Sequence, residues 1–398
     1  MRKSPIVAVV VPVALALGAC GASDPLATPG ECSGPVWTTR IDLGPNSWSE
    51  LGAVAADNGT RVLAVWQAAP LQGDDIVGGD DTMFALLDRE TGELLSVPRV
   101  LTGTSFILGL QVVVVDGRFR VLTFTQDDVR VHTVDVNGDP VLLSTLDISD
   151  GTFQRCVLAD DAGVTIIDGV TVTRIDPAGR IVSSTEVTSE PVFCTSVAAT
   201  TPGRMLGWFL GSDGGAEQWG RPRLIEMATD GSDAVVHDVD DSFPPKDARL
   251  VTSGSHVILA QMDEPDVRSA LLSFDGAVLA GPTTIGSAPD DGDLVGDQMC
   301  GGTCEGLTLT PTTTGALVGF EFHTDSDAWG SGTVRFAGLE ADDENLVVSG
   351  EGEARAHAHS GTATTSGPLL TWIDTGDFFL PWSRPSQHIV VKRVCSAR

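Results

Sequence analysis

A glycine that precedes a short apolar segment recurs seven times in this chain, and this repeat constrains the fold more than any other feature. The glycines are Gly59, Gly117, Gly163, Gly203, Gly254, Gly315 and Gly367, and the steps between them average about 51 residues. Five of the apolar segments end in Trp or Phe, as in LAVW at residues 63–66 and LLTW at residues 369–372. Because glycine tolerates the positive φ of a tight hairpin turn, each repeat is predicted to begin with two antiparallel strands.

A second turn follows each of the first six hairpins. Five of these turns contain a glycine, in LLDRETGELL, VDVNGDPV, RIDPAGRIV, EMATDGSDAV and LSFDGAVLA. The segment GLEADDENLV at residues 338–347 occupies the same place in the sixth unit, but its turn, ADDEN, has no glycine. No sustained helical spacing of apolar residues interrupts this order of strands and turns. Four antiparallel strands repeated at such intervals predict the blades of a β-propeller, because neighbouring blades bury faces that a single blade leaves exposed.

The two ends of the chain are predicted to close the ring. The last unit begins near His357 and lacks a fourth strand, whereas residues 35–43 form a strand ahead of the first unit. We therefore predict an all-β fold, a seven-bladed β-propeller closed by N-terminal strand pairing in the last blade, with six or eight blades as alternatives. The recurring aromatic residues, among them Trp66, Trp208 and Trp372, should be buried between blades.

The N-terminus has the pattern of an export signal. Met1-Arg2-Lys3 precedes an apolar run from Pro5 to Leu17, which is too short to span a bilayer and is typical of a secretory signal peptide. Leu17-Gly18-Ala19-Cys20 resembles the lipobox of bacterial lipoproteins. This resemblance implies cleavage before Cys20, lipid attachment to Cys20, and anchoring in the bacterial cell envelope, facing the periplasm or the exterior.

These observations divide the chain into three parts. Residues 1–19 are predicted to be the lipoprotein signal peptide, and residues 20–31 a lipidated flexible tether, because they are rich in Pro, Gly and small polar residues. Residues 32–398 are predicted to form the propeller domain. The repeated pattern of strands and turns in this domain resembles that of secreted and lipidated bacterial β-propeller proteins. No motif of a particular propeller subfamily is present.

Six cysteines remain after the lipidated one, and an even number in an exported chain indicates disulfides. Cys32 and Cys395 flank the segments that are predicted to close the ring, so we expect them to pair. Cys156 and Cys194 both precede the innermost strands of consecutive units, which favours a second disulfide. Cys300 and Cys304, in CGGTC, are expected to form the third.

The composition excludes some partners. The formal net charge is -30, and removal of Arg2 and Lys3 with the signal peptide takes it to -32. Such a surface repels nucleic acid and anionic headgroups. We expect a monomer that is held at the membrane through its lipid and binds a protein or glycan partner.

Motifs of common catalytic sites are missing from the sequence. It contains no GxSxG, HExxH or GxxxxGK[ST] pattern and no tyrosine, and its mature cysteines are expected to be paired. The sequence therefore assigns no catalytic residue and no cofactor other than a possible calcium ion.

Three kinds of place remain as candidate sites. The first is the acidic, glycine-containing loops at residues 73–81, 290–297 and 325–330, which offer oxygen ligands for calcium. If one of them binds calcium, the sequence favours Asp290, Asp291, Asp293 and Asp297. The second is a strand carrying His357 and His359, which are either exposed or, together with His323, directed at one metal. The third is the long insertions Gln67–Asp81 and Pro289–Cys304, where propellers carry binding loops.

Three functions are compatible with these features. The interpretation that we favour is a membrane-anchored extracytoplasmic lipoprotein acting as a non-catalytic binding or scaffold module through its propeller loops. An extracytoplasmic glycan hydrolase or lyase that uses carboxylates in the central funnel is one alternative. A calcium-stabilised structural module is the other.

Overall fold

Short segments rich in Val, Ile, Leu and Thr form the strands of seven blades in this computed structural model. The structure describes residues 36–43, 47–48, 52–72, 75–76, 81–103, 107, 109–125, 127–135, 137–147, 155–190, 192–212, 219–239, 242–244, 248–289, 292–294, 306–312, 314–324, 333–341, 346–364, 366–374 and 387–394. The predicted signal peptide, the tether and the cysteines at 20, 32, 300, 304 and 395 lie outside these residues.

Blades 1 to 3 follow one another along the chain. The strands of blade 1 are β2 (Ser47–Trp48), β3 (Ala53–Asp57), β4 (Arg61–Gln72), β5 (Asp75–Ile76), β6 (Asp81–Asp88) and β7 (Arg99–Gly103). The strands of blade 2 are β8 (Gly109–Val115), β9 (Arg118–Phe124), β10 (Asp128–Val134) and β11 (Pro140–Asp147). The strands of blade 3 are β12 (Arg155–Asp160), β13 (Gly163–Asp168), β14 (Thr171–Ile175) and β15 (Ile181–Glu186).

Blades 4 to 7 complete the ring, and blade 7 takes its fourth strand from the N-terminal part of the chain. The strands of blade 4 are β16 (Val192–Ala199), β17 (Arg204–Ser212), β18 (Trp219–Ala228) and β19 (Val235–Asp238). The strands of blade 5 are β20 (Ala248–Ser253), β21 (His256–Asp263), β22 (Asp266–Leu272) and β23 (Val278–Ser287). The strands of blade 6 are β24 (Gly292–Leu294), β25 (Leu307–Pro311), β26 (Gly315–Thr324), β27 (Thr333–Ala341) and β28 (Leu346–Arg355). The strands of blade 7 are β29 (His357–Thr362), β30 (Leu369–Asp374), β31 (His388–Arg393) and β1 (Trp37–Asp42).

The innermost strands surround the axis of the ring and give it two distinct ends. Each of β3, β8, β12, β16, β20, β25 and β29 contacts the next, and β29 contacts β3. We call the end where these strands begin, for example at Ala53 and Leu307, the loop face. The end where they finish, for example at Asp57 and Pro311, is the turn face. All strand pairs within the blades are antiparallel, so the connections between blades lie at the loop face.

The ring is closed by the strand that the sequence predicted. β1 pairs with β31 in a continuous antiparallel register from Trp37 opposite Arg393 to Asp42 opposite His388. This confirms a seven-bladed β-propeller with N-terminal closure rather than a ring of six or eight blades. The sequence did not predict the short strands β2, β5 and β24, which extend blades 1 and 6 at the loop face.

The hydrophobic core is divided among the contacts between neighbouring blades. Separate clusters of buried side chains lie between successive blades, and the largest spans the contacts of blade 1 with blades 7 and 2. Trp66, Trp208 and Trp372 are buried in three of these clusters, which confirms their predicted role. Since no blade has a core of its own, burial of apolar surface stabilises the ring as a whole.

One joint recurs between blades. The turn between the third and fourth strands of a blade packs on the face of the preceding blade through a glycine with positive φ, in the series Gly92, Gly138, Gly179, Gly231 and Gly276. Carbonyl oxygens of four of these turns accept hydrogen bonds from the preceding blade, as when Arg99 Nη1 donates to Gly138 O at 2.6 Å and Arg120 Nη2 donates to Pro177 O at 2.8 Å. The glycine leaves room for the neighbouring side chain, and the turn backbone supplies the polar contact.

Aspartates hold these turns in shape. The Asp135 carboxylate accepts hydrogen bonds from the backbone N–H groups of Asn137 and Asp139, and that of Asp176 accepts them from Ala178 and Arg180. Hydrogen bonds within the turns lower the pKa values of five aspartates below the ordinary value of 3.8, those of Asp88, Asp135, Asp176, Asp230 and Asp275.

The joint between blades 7 and 1 carries a buried ion network in addition. Asp57 accepts hydrogen bonds from Arg393 Nη2 at 2.6 Å and from Arg89 Nε at 3.0 Å. The side chains of Asp57 and Arg393 are fully buried, and burial lowers the pKa of Arg393 while the Asp57 charge opposes that effect. Trp37 Nε1 donates to Arg89 O at 3.0 Å, and Thr39 Oγ1 donates to Gly92 O at 2.6 Å. The closing strand is thus attached to blade 1 as well as to β31.

The substitution Gly92→Ala should destabilise the ring more than Gly117→Ala. Both glycines have similar positive φ, 72° and 66°, so both alanines bear a backbone cost of about 1–2 kcal/mol. A Cβ at Gly92 would lie 2.5 Å from Trp37 Cε3, whereas one at Gly117 meets no atom within 4 Å. Overpacking should therefore add about 1–3 kcal/mol at Gly92 alone.

Urea unfolding of the two variants, followed by far-ultraviolet circular dichroism and tryptophan fluorescence, measures this difference. Equal losses of unfolding free energy at the two positions would contradict the joint between blades 1 and 7.

Candidate functional site

The loop face of blades 6, 7 and 1 carries most of the long connections. When the short strands β2, β5 and β24 are left out, seven segments between the described strands have eight or more residues. Five of them lie at the loop face of these three adjacent blades, at residues 43–52, 73–80, 288–306, 325–332 and 375–387. The turn face, by contrast, has short hairpin turns between first and second strands, such as residues 116–117 and 161–162. Binding residues of a rigid scaffold are found preferentially on such loops, so this part of the loop face is the candidate site.

The three acidic segments found in the sequence all attach to this region. β4 and β6 flank residues 73–80, β26 and β27 flank residues 325–332, and β24 lies within the connection from blade 5 to blade 6. Asp290, Asp291 and Asp297 lie outside the described residues, and Asp293 is known only by its register, opposite His323 in the β24–β26 pair. Among the described side chains, no three His, Cys, Asp or Glu residues form a group suited to a metal ion. The calcium site stays a prediction.

The two histidines of blade 7 do not follow the expected alternation. The pairing of β29 with β30 shifts register between His357 and Ser360, so positions 357 and 359 are not related as in a regular strand. His359 is fully buried, and its ring meets that of Phe336 edge-on with 6.0 Å between centroids. The expectation of an exposed His359 was therefore wrong, because the residue fills the contact between blades 6 and 7. The side chains of His357 and His323 are not among those that the structure describes.

A cavity lies in the part of the central channel that the described residues line. Its volume is about 110 Å³, and it is lined by residues of six innermost strands. The polar residues of this lining are Gln111, Ser196, Arg249, Thr308, Ser360 and Thr362. No carboxylate belongs to the lining formed by the described residues.

Polar side chains of the channel connect neighbouring blades. Arg249, which is buried in blade 5, donates from Nη1 to Thr195 O of blade 4 at 3.0 Å and from Nε to Leu307 O of blade 6 at 3.2 Å. Ser196 Oγ accepts the backbone N–H of Leu250 at 2.8 Å, and Ser360 Oγ donates to Ala53 O at 2.8 Å. These groups replace the backbone ladder that innermost strands of separate sheets cannot form, and the channel is accordingly a structural element.

Sequence reasoning missed the channel residues. Their only sequence signal is an alternation such as LTLTP in β25, where Thr308 and Thr310 are buried although they are polar. That pattern also occurs in strands with one solvated face, so the position of the strand in the ring had to be known first.

One of the predicted disulfides is confirmed. Cys156 and Cys194 are bonded, with 5.9 Å between their Cα atoms, and both side chains are buried. The sequence predicted both cysteines to lie just before the innermost strands, whereas the structure places them within β12 and β16. The bond joins blades 3 and 4 near the loop face. The pairs Cys32–Cys395 and Cys300–Cys304, and the lipid on Cys20, stay predictions.

No family profile and no curated protein sequence matches this chain. Several solved structures are similar to it at low sequence identity. A quinonprotein alcohol dehydrogenase-like protein from Bacteroides thetaiotaomicron is 11% identical, over 76% of this chain and 66% of that one, with a TM-score of 0.45. The extracellular domains 1–2 of Drosophila Semaphorin 1a are 8% identical, over 92% and 88%, with a TM-score of 0.48. The CNH domain of AfRom2 is 9% identical, over 89% and 98%, with a TM-score of 0.44.

At these identities the likeness concerns the fold alone, and it carries no function over to this chain. The chain spans about two thirds of the dehydrogenase-like protein. In the ranges that the structure describes, no helix has the length and hydropathy needed to cross a bilayer.

A buried histidine lies away from the loop-face site. His132 of β10 is buried in blade 2, and its Nδ1 has no hydrogen-bond partner among the described residues. Burial, with a smaller contribution from the charge of Arg130, lowers the pKa of His132 from 6.5 to about 4. The folded protein therefore keeps this imidazole neutral under mildly acidic conditions in which the unfolded chain protonates it.

The contribution of His132 to stability should fall as the pH decreases from above 6.5 towards 4, because only the unfolded state binds a proton at His132 in that window. The loss attributable to this residue is at most about 3 kcal/mol. The variant His132→Leu should show a flatter dependence of the urea midpoint on pH over the same range. The control variant His256→Gln should keep the slope of the original protein, and an unchanged slope in His132→Leu would refute the assignment.

Proposed function

We propose that this protein is a lipid-anchored extracytoplasmic binding or scaffold module that holds a protein or glycan partner at the loop face of blades 6, 7 and 1. The observation that carries the proposal is the gathering of five long connections at one end of three adjacent blades. A rigid ring that presents variable loops at one end is the arrangement by which propellers bind partners.

The size of the central cavity supports binding at the loops rather than inside the channel. Sites for drug-sized ligands usually measure about 300–1,000 Å³. The channel cavity of about 110 Å³ is well below that range, and inter-blade hydrogen bonds occupy much of its polar lining. A glycan or protein partner would therefore contact the mouth of the ring and the surrounding loops.

The position of β1 supports an orientation for the module. Trp37 begins β1 at the turn face, so a tether preceding it joins the ring there. An anchor at Cys20 would then hold the turn face towards the bilayer and leave the loop face directed away from it. The sequence offers two alternatives to this binding module, a glycan hydrolase or lyase and a calcium-stabilised structural module.

The substitution Cys20→Ser should release the protein from membranes, because it removes the thiol that the lipid would modify. Fractionation of cells that express the full-length chain, followed by immunoblotting, measures this release. A variant that still sediments with membranes would contradict the lipid anchor without affecting the binding proposal.

Loop-face substitutions should weaken partner binding without unfolding the ring. The full-length protein would be screened on a glycan array and by crosslinking to envelope proteins. The double variant Phe378→Ser/Phe379→Ser, in the segment between β30 and β31, should lose at least about tenfold in affinity for any partner found. The turn-face variant Thr201→Ser is the matched control and should bind normally.

Binding that is equally strong in both variants would place the partner elsewhere and contradict the proposal. Release of shortened glycans during the array experiment would support the hydrolase or lyase alternative instead.

A further inference from the structure

Exposed aliphatic side chains recur at one position of the ring. In each of blades 2 to 6 an exposed pair lies near the start of the outermost strand, at residues 141–142, 181–182, 235–236, 278–279 and 347–348. We call these five pairs the aliphatic rim. It follows the periphery of the ring at the turn face, and exposed Val36 and Leu95 lie at corresponding places in blades 7 and 1.

The outermost strands do not need aliphatic residues at these positions. In β15, Ile181 and Val182 are followed directly by the polar residues Ser183–Glu186, and the strand continues its pairing with β14. In β23, exposed Thr283 and Thr284 likewise extend a strand that begins with an aliphatic pair. In these two strands the exposed aliphatic residues are confined to the turn-face end, whereas blade 1 also exposes Val97 and Val100. Exposed apolar groups that adjoin one another are candidates for interaction surfaces.

Negative charge accompanies the rim. The turn aspartates Asp135, Asp176, Asp230 and Asp275 precede four of the pairs by three to six residues. Asp176 also forms a salt bridge with exposed Arg180, so among the described residues the unpaired negative charge in these turns is that of Asp135, Asp230 and Asp275. An aspartate is ionised at neutral pH even with its ordinary pKa of 3.8, and hydrogen bonds within these turns lower the four pKa values further. Exposed Asp139 adds a further charge beside the pair of blade 2, although it also lies 3.3 Å from Arg99.

The exposed aliphatic pairs and the nearby carboxylates together indicate which kind of partner the rim can bind. A second copy of the chain would bring another rim with the same charge, and both copies carry a net charge of -30. An anionic bilayer would be repelled for the same reason. A partner that offers positive charges next to aliphatic side chains satisfies both the carboxylates and the apolar pairs.

We propose that the aliphatic rim is a docking surface for a basic amphipathic segment of a partner protein. Lys or Arg side chains of the segment lie beside the turn carboxylates, and its aliphatic side chains cover the exposed pairs of neighbouring blades. The surface is at the opposite end of the ring from the loop-face site and does not depend on it.

The experiment uses the full-length protein and three labelled helical peptides, with binding followed by fluorescence anisotropy. The first peptide has a Leu face and a Lys face, the second has Glu in place of Lys, and the third has Ser in place of Leu. Only the first should bind, and its affinity should decrease as salt is added. Binding of none of the peptides, or equal binding of the Lys/Leu and Lys/Ser peptides, would overturn the proposal.

The matching protein variant tests the rim itself. It combines the threonine substitutions Val141→Thr, Leu142→Thr, Ile181→Thr, Val182→Thr, Val235→Thr and Val236→Thr, which keep residues favoured in strands. Its affinity for the Lys/Leu peptide should fall by about tenfold or more, since apolar contacts are lost and no charge changes. The control Thr145→Ser/Thr283→Ser alters exposed residues of two outermost strands, β11 and β23, outside the rim and should bind as the original does.

Other outcomes would assign the rim to another occupant. A melting temperature close to that of the original protein shows that the threonine variant is folded. If the variant is unfolded, a version that carries only the changes in blades 2 and 3 takes its place in the binding experiment. Undiminished peptide affinity in a folded variant would refute the proposal. Binding of phosphatidylcholine or phosphatidylglycerol vesicles that the threonine variant loses, or rim-dependent dimers in sedimentation, would replace the partner protein by a bilayer or by a second copy.

Discussion

The packing of a turn from one blade on the face of the preceding blade is the interaction on which the rest of this structure depends. Gly92, Gly138, Gly179, Gly231 and Gly276 all take part in it, each against side chains of the preceding blade. No blade can bury both of its faces by itself, so blades are stable only in contact with each other. The joints fix how each blade sits on the next, and the hydrophobic clusters fill the space that they define.

Closure makes these joints cooperative. The contact of blade 7 with blade 1 is the point where a linear array would have a free edge, and β1 removes that edge by pairing with β31. The buried network of Asp57, Arg89 and Arg393 ties the closing strands to blade 1. A buried charge without its partner is strongly destabilising, so the network disfavours rings in which these residues do not meet. The common direction of the innermost strands distinguishes the two faces, with the connections between blades at one and the turns between first and second strands at the other.

Much of the fold was predictable because its repeat is local. Gly117 and Gly163 mark hairpins by their tolerance of positive φ, and the pairing of Cys156 with Cys194 was predicted correctly because the two lie near the beginnings of consecutive innermost strands. The site was less predictable. The buried state of His359 depends on Phe336 of another blade, and the bridging role of Arg249 depends on carbonyl groups of two others. Contacts between residues far apart in the chain leave no periodic signal in the sequence.

The sequence by itself determined the class of fold, the closing strand and the burial of Trp66, Trp208 and Trp372, and it favoured seven blades over six or eight, because hairpin turns and apolar alternation are properties of neighbouring residues. Only the tertiary structure decided which long connections share one end of the ring, that polar side chains of the channel connect neighbouring blades, and that exposed aliphatic pairs lie around the turn face. These features arise when separate blades are brought side by side, since position around the ring follows from blade packing and not from spacing along the chain.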